Sequence, residues 1–385
     1  MLINTIYATH IAKVGVGYAC QSILESMQTT DMDVRLYCVS ADNDVSIKPF
    51  HRLSLPLWAK RPGYKLVTPG SWVKFTEWRY QHSFRDRQIA YLWPSTSLKT
   101  YRLAKSAGQI LLTENINTHQ ATSKQILDAE YSRLGIEPDH GIDERNIADE
   151  TAKLELADYV FSPSDEVGKS LLNANVPSKK IIRTSYGLGA SDILSPRQVD
   201  MRAGKNELTA IFVGRIGIRK GAHLLLEYWV KAGVKGKLKL VGNVEKSAKH
   251  LIEPYLKRPD VEHIPFTNDL ASLYRTADIF LFPSLEEGSP LVTYLALGAG
   301  LPTVVSPMGG GGVITDGCEG LVIDPHDADR WIDSIRKIFS DAELRTRMSG
   351  NAHSRAEEYL WSNVGRRRRE LLLEALDSRV GADPE

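Results

Sequence analysis

A cation-rich loop stands at the start of a predicted helix. Residues 214–221 read Gly-Arg-Ile-Gly-Ile-Arg-Lys-Gly and lie between an apolar run at Leu208–Val213 and a helical pattern at Ala222–Ala232. The helix macrodipole is positive at this end, so each cation placed there costs about 0.3–1 kcal/mol. A bound anion would reverse that cost, because the free N–H groups and the cations would face it together. The loop therefore predicts an anion site, and a solvated basic loop is the alternative interpretation.

A second motif, residues 283–300, has the features of another helix start. Ser289 suits the N-cap and Pro290 suits the first helical position. The free N–H groups of this helix predict a second anion site. Glu287, just outside it, would accept hydrogen bonds from sugar hydroxyls. The alternative is that Glu286 and Glu287 only complement the positive helix end.

Three weaker motifs also follow predicted strands. The turn Gly15-Val16-Gly17 lies where an α/β sheet faces a phosphate or a sugar, but it lacks the third glycine of an NAD fingerprint. His119 ends a polar segment, residues 114–119, and its ring could donate to a hydroxyl or a phosphate. An ordinary loop and a helix cap are the respective alternatives. The glycine run 309–312 allows close approach to a ligand, but a flexible turn explains it equally well.

Composition excludes several classes of protein. The 385 residues carry 48 Lys and Arg against 47 Asp and Glu, a formal net charge of +1. A nearly neutral chain without a recognition motif is not expected to bind nucleic acid. The hydrophobic fraction of 42% is typical of a soluble globular protein. No run approaches the ~20 apolar residues of a membrane span, and the N-terminus lacks the pattern of a signal peptide.

The cysteines are too few and too dispersed for a structural role in disulfides or zinc binding. Cys20, Cys38 and Cys318 are odd in number and lie far apart in the chain. No other group of His or Cys residues has the spacing of metal ligands. We therefore expect a cytoplasmic protein without a bound metal.

The elements that position these motifs alternate regularly along the chain. Short β-branched runs and longer amphipathic stretches predict an α/β fold of parallel sheets covered by helices. Residues 186–206 lack apolar periodicity, so we expect two doubly wound domains joined there and facing a ligand cleft. The predicted strands are 2–8, 34–39, 89–93, 109–113, 159–162, 181–185, 208–213, 237–241, 278–282, 303–306 and 320–323.

One segment, residues 51–87, departs from the average composition. It has eight Lys and Arg residues against only Glu77 and Asp86. Interleaved with them are Trp58, Tyr64, Trp72, Phe75, Trp78 and Tyr80. Basic side chains near an anionic membrane contribute about 1 kcal/mol each, and Trp and Tyr suit the interface. The segment is therefore a candidate for peripheral contact with an anionic membrane. The alternative is a solvated helical segment whose aromatic side chains belong to the core.

Taken together, these motifs resemble the retaining glycosyltransferases of family 4, which have the GT-B fold of two facing Rossmann-like domains. Arg215 and Lys220 resemble the family's diphosphate-binding pair, and residues 283–288 resemble the start of its Glu-x7-Glu segment. Residues 157–164 and 186–189 extend the match, whereas the first ~150 residues match only in layout. The resemblance implies an acceptor domain at 1–190, a linker at 191–206, a nucleotide-sugar domain at 207–358 and a last helix, 359–385, that crosses back to the acceptor domain.

The resemblance also implies roles for individual residues. Arg215 and Lys220 would hold the donor diphosphate and neutralise the leaving group, while Glu287 would bind hydroxyls of the donor sugar. His119 would contact the donor sugar as well. Pro265 and Phe266 would lie at the nucleotide base. The donor-binding positions implied are Gly17, Gly214, Pro265, Phe266, Ser289, Pro290, Leu291 and Leu295.

The reaction implied is transfer with retention of anomeric configuration, from a nucleotide sugar of the UDP or GDP type. Such enzymes need no metal or other cofactor. The acceptor would be a saccharide or a lipid-linked saccharide in the synthesis of a cell-surface polysaccharide or glycolipid, and the enzyme would be cytoplasmic or peripheral at the inner membrane face.

The chain departs from the family pattern at Leu295, where the second Glu of the segment is expected. That Glu accepts hydrogen bonds from the ribose, and such bonds contribute about 1.5–3 kcal/mol each. Losing two would weaken donor binding about a hundredfold or more. Thr293 or Tyr294 is a candidate replacement. Alternatively, Leu295 packs the helix against the sheet.

Two other functions stay open at the level of sequence. One is a non-catalytic nucleotide-sugar-binding subunit that lost ribose binding at Leu295. The other is an epimerase or phosphorylase of the same fold, and a phosphorylase would be expected to carry a yellow, lysine-bound pyridoxal phosphate.

Overall fold

The computed structural model describes residues 1–43, 45–85, 88–195, 207–267 and 269–380. Within these ranges the strands form two parallel sheets, one of seven and one of six strands. The predicted α/β class with two Rossmann-like domains is therefore confirmed. Arg87 and residues 196–206, which make up most of the predicted linker, lie outside the described residues.

The N-terminal sheet has β4 at its centre. Its strands are β1 (Leu2–Ile11), β2 (Asp33–Ala41), β3 (His51–Leu53), β4 (Ile89–Leu92), β5 (Ile110–Glu114), β6 (Tyr159–Ser162) and β7 (Ile181–Arg183). The order across the sheet is β3-β2-β1-β4-β5-β6-β7. The accompanying helices are α1 (Val16–Met27), α2 (Lys60–Leu66), α3 (Pro69–Gln81), α4 (Leu98–Ser106), α5 (Gln120–Leu134), α6 (Glu144–Leu156) and α7 (Asp165–Asn173).

The C-terminal sheet repeats this layout. Its strands are β8 (Leu208–Val213), β9 (Gly236–Val241), β10 (Val261–Ile264), β11 (Ile279–Phe282), β12 (Thr303–Val305) and β13 (Gly320–Val322), in the order β10-β9-β8-β11-β12-β13. Its helices are α8 (Ala222–Ala232), α9 (Lys249–Leu256), α10 (Leu270–Thr276), α11 (Leu291–Gly298), α12 (Pro307–Gly310), α13 (Ala328–Ser340) and α14 (Ala342–Ala356). The last helix is α15 (Trp361–Val380).

Several internal strands of the two sheets are buried along their whole length. Every residue of β4, β6 and β11 is buried, as expected where helices cover both faces of a sheet. The helices therefore leave the strand ends and their loops as the places where a ligand can reach the sheet. Among the described helices, none is both long and apolar enough to cross a bilayer.

The last helix, α15, returns to the N-terminal domain and packs against α1. Its Arg368, only 1% exposed, donates two hydrogen bonds to the Glu114 carboxylate at 2.9 and 3.1 Å. Arg368 also donates to the carbonyl oxygen of Ser185, and the Tyr91 hydroxyl donates to Glu114. A buried ion pair thus anchors the end of the chain to the first sheet.

All eleven strands predicted from the sequence are present, with ends shifted by up to three residues. Two further strands, β3 and β10, were not predicted. Each is the edge strand of its sheet, and each is short and carries polar residues. An edge strand pairs on one side only, so it does not need the continuous apolar run that marks a buried strand.

Candidate functional site

The cationic loop and the 283–288 loop lie side by side at the carboxyl ends of two neighbouring strands, β8 and β11. The backbone N–H of Leu285 donates to the carbonyl oxygen of Arg219 at 2.9 Å. Gly221 starts α8 with a φ of +67°, and a Cβ there would overlap the carbonyl oxygen of Pro283. Only glycine permits both this conformation and this close approach, so the two loops form one unit.

The charges of these loops are paired with each other. Arg219 forms an ion pair with Glu286, and Lys220 forms one with Glu287. Arg215 is 73% exposed, and among the described residues its side chain pairs with one carboxylate, that of Glu245, at 3.7 Å. The interpretation as a solvated basic loop is therefore wrong for Arg219 and Lys220, because acidic residues of the neighbouring loop contact both. Arg215 is free to contact a ligand.

Lys220 has an unusual electrostatic environment. Burial, followed by the neighbouring charge of Arg219, lowers the pKa of its ammonium group to about 7. The nearby carboxylates of Glu286 and Glu245 oppose this effect. An arriving anion would add negative charge beside Lys220 and favour its protonated form. The site is thus arranged to gain positive charge when an anion binds.

The N-terminal domain touches the same loops across the cleft. The Thr118 and Ser123 hydroxyls donate to the fully buried Glu286 carboxylate at 2.7 and 3.0 Å. A Cβ on Gly288 would overlap the carbonyl oxygen of Ile116. Glu286 is therefore bound by groups of both domains and positions the neighbouring Glu287.

His119 follows β5, as expected from the sequence. Its ring is buried and caps α5, where Nδ1 accepts from the N–H of Ala121 at 3.2 Å. Nε2 lies 3.3 Å from the Thr151 hydroxyl and 3.7 Å from the Glu150 carboxylate. The helix-cap alternative describes this placement, and the role of His119 at the donor sugar stays a prediction. Burial lowers the pKa of His119 and raises the pKa of Glu150 to about 7.

Gly17 lies in the first turn of α1, directly beyond the carboxyl end of β1. A Cβ there would stand 3.0 Å from the Tyr7 ring and 3.2 Å from the Cα of Ile11. The close packing explains a small residue at this position. Gly15 precedes the helix with a φ of +82°, and no side chain caps the helix start.

The helix start at Ser289 differs from the prediction. Helix α11 begins at Leu291, and Pro290 occupies the N-cap position without a side-chain hydrogen bond. The Ser289 hydroxyl instead bonds to the Tyr294 hydroxyl at 2.7 Å. The predicted N-cap role of Ser289 is therefore wrong, because this buried pair occupies its oxygen. The free N–H groups at the start of α11 are still uncapped by a side chain.

Leu295 is half-buried and packs against the main hydrophobic core. Neither candidate replacement for the missing carboxylate faces a ligand. The Thr293 hydroxyl is buried and donates to the carbonyl oxygen of Gly309 at 2.7 Å. The buried Tyr294 hydroxyl accepts from the N–H of Tyr186 at 3.0 Å. The alternative reading of Leu295 as a packing residue fits the structure.

A cleft of about 300 Å³ opens beside Arg215. Asn243, Glu245 and Ser247 line it from the C-terminal domain, and Asp139 lines it from the N-terminal domain. Pro265 and Phe266 follow β10 and are exposed, Phe266 by 66%, but they do not line this cleft. Within the described residues, no group of three or more His, Cys, Asp or Glu side chains is arranged to hold a metal ion.

The comparisons with known proteins agree with this arrangement. Residues 198–355 match the family model described as glycosyl transferases group 1. The C-terminal domain is a group 1 glycosyltransferase domain. The D-inositol 3-phosphate glycosyltransferase of Corynebacterium kroppenstedtii is 34% identical over 120 residues, which are 30% of this chain and 27% of that enzyme. The chain thus spans about a quarter of that relative's length.

Solved structures resemble the whole chain and establish the GT-B fold. Sucrose-phosphate synthase from Thermosynechococcus elongatus superposes with a TM-score of 0.71 at 18% identity, covering 98% of this chain and 99% of that one. HepE of Anabaena, solved in complex with UDP-glucose, gives a TM-score of 0.66 at 15% identity, covering 97% and 100%. The glycosyltransferase domain therefore sits in a complete two-domain fold.

Sequence reasoning missed the residues that hold this glycosyltransferase domain against its partner domain. Glu286 was considered only as a charge near a helix end, and Arg219 only as one cation of three. The signal that could have found them is the matching order of charges, Arg219-Lys220 in one loop and Glu286-Glu287 in the other. Thr118 and Ser123 carry no comparable signal, because their role depends on the docking of the two domains.

Proposed function

We propose that this protein is a retaining, metal-independent glycosyltransferase that moves a sugar from a nucleotide diphosphate sugar to a saccharide or lipid-linked acceptor. The observation that carries the proposal is the exposed Arg215 beside the Lys220–Glu287 ion pair, at the carboxyl edge of a group 1 glycosyltransferase domain. Arg215 and Lys220 are two positive groups that suit a diphosphate. The Glu287 carboxylate beside them can accept hydrogen bonds from sugar hydroxyls.

Donor binding would exchange partners within this cluster. The diphosphate would take over Lys220 and recruit Arg215, whose guanidinium group is free to make a bidentate contact. Glu287, released from Lys220, would then accept hydrogen bonds from the sugar hydroxyls. The free N–H groups of Leu291 and Val292 at the start of α11 would add donors for the sugar or the phosphate. A UDP or GDP sugar is the proposed donor, and the UDP-glucose complex of HepE supports this class.

The chemical step would use charge stabilisation in place of a metal. As the bond to the leaving phosphate breaks, Arg215 and Lys220 would neutralise the developing negative charge. The acceptor oxygen would bond to the anomeric carbon on the face from which the phosphate leaves, which preserves the anomeric configuration. The leaving phosphate oxygen would accept the proton of the acceptor hydroxyl. We place this reaction in the cytoplasm, where Cys20, Cys38 and Cys318 would stay as the free thiols found here.

The first test is thermal unfolding with UDP, GDP, ADP and their common sugar conjugates. At a hundredfold excess over the dissociation constant, a ligand stabilises the folded state by about 2.7 kcal/mol, a shift of several degrees. We expect one nucleotide series to raise the unfolding temperature of the parent protein. The same nucleotides should not raise the unfolding temperature of Arg215→Ala. Arg347→Ala is the matched control, since Arg347 is an exposed arginine on α14 of the same domain. No shift with any nucleotide, or an equal shift in Arg215→Ala, would contradict the diphosphate site.

The non-catalytic subunit is the second candidate, and Leu295 is the observation that favours it. A packed leucine offers no acceptor to a ribose, and Thr293 and Tyr294 are engaged elsewhere. Incubation of the protein with the stabilising nucleotide sugar and candidate acceptors distinguishes the two functions. Release of free nucleotide together with a glycosylated product supports the enzyme, whereas binding without turnover supports the subunit.

A further inference from the structure

Helices α2 and α3 of the N-terminal domain, together with Trp58, carry an exposed surface that the donor site does not use. Four apolar side chains stand in solvent: Trp58 is 85% exposed, Leu66 84%, Phe75 42% and Trp78 52%. Phe75 and Trp78 stack with their ring centroids 5.7 Å apart. We call the four exposed side chains the apolar strip. Large exposed apolar side chains grouped in this way mark an interaction surface.

The same segment carries exposed cations. Arg61, Lys65, Lys74 and Arg85 are exposed. We call the four cations together with Trp58, Leu66, Phe75 and Trp78 the basic aromatic face. Glu77, the one acidic residue between 51 and 85, is buried, and its carboxylate accepts hydrogen bonds from Ser97 and Thr100. Within this part of the described chain the face therefore presents positive charge without exposed negative charge.

The other basic residues of the segment serve the fold. Arg79 donates to the carbonyl oxygen of Leu53 at 2.6 Å and lies over the ring of Tyr37. Arg52 donates to the carbonyl oxygen of Pro49 at 2.6 Å, and Lys60 pairs with Asp42. The structure thus divides the segment into cations that hold the domain together and cations that face solvent.

We infer that the basic aromatic face docks this protein onto the surface of an anionic lipid bilayer. The two requirements of an interfacial anchor are present on one side of the domain. Tryptophan, phenylalanine and leucine enter the boundary between headgroups and acyl chains, and the cations attract anionic headgroups. The inference goes beyond the proposed glycosyl transfer and does not depend on it.

The basic aromatic face lies close to the edge of the sheet that borders the cleft. Tyr64 of α2 hydrogen-bonds to Ser40 at 2.8 Å, and Ser40 hydrogen-bonds to His10 at 2.7 Å. Both partners lie near the carboxyl ends of β1 and β2, the edge that borders the cleft. A bilayer held against α2 and α3 would therefore meet the protein beside the cleft, where a lipid-linked acceptor can enter.

Co-sedimentation of the full chain with vesicles tests the inference. The vesicles are phosphatidylcholine alone and an equimolar mixture of phosphatidylcholine with phosphatidylglycerol. We expect binding to the mixture only. Replacing Arg61, Lys65, Lys74 and Arg85 by Gln should lower the partition coefficient about fivefold per cation. The matched control replaces the exposed Lys179, Lys235, Lys257 and Arg347 by Gln and should bind as the parent does.

A second variant set tests the apolar strip. Trp58→Ser, Leu66→Ser and Trp78→Ser in one protein should reduce binding to the mixed vesicles, whereas Leu172→Ser, Val230→Ser and Leu373→Ser at other exposed positions should not. Vesicles should also shift the tryptophan emission of the parent to the blue, and Trp58→Phe with Trp78→Phe should remove that shift. Circular dichroism and the unfolding midpoint check that each variant is folded.

Four outcomes would overturn the inference. The first two are a parent protein that binds neither vesicle type and one that binds both types equally. The third is a loss of binding in the control variants as large as that in the variants of the face. The fourth is self-association of the parent in ultracentrifugation while the Trp58→Ser, Leu66→Ser, Trp78→Ser protein stays monomeric. That last result would make the face a contact between two copies of this chain.

Discussion

Arg215 and Lys220 occupy the same loop but differ in what surrounds them. Arg215 extends into solvent, whereas Lys220 is held between Glu287 and Arg219. A guanidinium group stays charged at any relevant pH, but a buried ammonium group loses its proton readily. Under the proposed function, Arg215 would attract the diphosphate at any pH, whereas Lys220 would change its charge when the diphosphate binds.

That difference predicts proton uptake when the donor nucleotide binds. The pKa of Lys220 is lowered to about 7 by burial and by Arg219, so much of the free protein lacks this proton at neutral and mildly alkaline pH. A diphosphate raises that pKa, and Lys220 takes up a proton from the buffer. Calorimetric titrations in two buffers of different ionisation enthalpy should give different heats. Lys220→Arg should still bind and show equal heats, and equal heats in the parent would refute the prediction.

At the scale of elements, α15 depends on one buried ion pair. Arg368 and Glu114 are almost completely buried, so removal of one partner leaves an uncompensated charge in the core. Such a change typically costs about 3–5 kcal/mol. The basic run 366–369 therefore has a structural centre at Arg368, while Arg366 and Arg367 are exposed.

We predict that Arg368→Met lowers the free energy of unfolding by about 3–5 kcal/mol. Arg366→Met, two residues earlier in α15 but exposed, should change it by less than about 0.5 kcal/mol. The double variant Arg368→Met with Glu114→Gln should recover part of the loss, because no charge is left buried. Urea denaturation followed by circular dichroism measures all three. An equal loss in Arg366→Met would show that helix propensity, rather than the ion pair, controls stability.

For the whole molecule, contacts between the domains set the shape of the cleft. Glu130 on α5 lies 2.5 Å from His223 on α8, and Arg133 pairs with the same carboxylate. Burial alone would raise the pKa of Glu130, but hydrogen bonds from Arg133 and His223 outweigh it and lower the pKa to about 2. This carboxylate therefore stabilises the docked domains while it is ionised.

The sign of the shift predicts how acid affects the protein. A carboxyl group whose pKa is lowered in the folded state stabilises the folded protein at pH values above its unfolded-state pKa of 4.5. That stabilisation disappears as the pH falls toward 2. Its contribution to the free energy of unfolding is on the order of 3 kcal/mol. Glu130→Gln should lower the free energy of unfolding at pH 7 by about that amount and flatten its acid dependence. Glu137→Gln, at an exposed position in the loop after α5, is the control. Parallel pH profiles for Glu130→Gln and the parent would contradict the role of the pair.

Local patterns sufficed for much of the architecture. The central strands were predictable because burial on both faces demands continuous apolar runs, and the cationic loop was visible because its charges oppose a helix dipole. The edge strands β3 and β10 were missed because pairing on one side tolerates polar residues. Ser289 was misassigned because its N-cap chemistry competes with a hydroxyl pair to Tyr294, five residues ahead in the chain but buried in the core.

The sequence by itself determined the fold class, the position of the cationic loop and the basic aromatic composition of residues 51–87. Each of these depends only on residues that are neighbours in the chain. Only the tertiary structure decided which charges pair. It paired Lys220 with Glu287 and enclosed Glu286 between Thr118 and Arg219. It also turned His119 toward α6. In residues 51–85 it separated the cations that face solvent from those that stabilise the fold. These outcomes depend on distances between residues far apart in the chain, and such distances are set when the two sheets and their domains pack together.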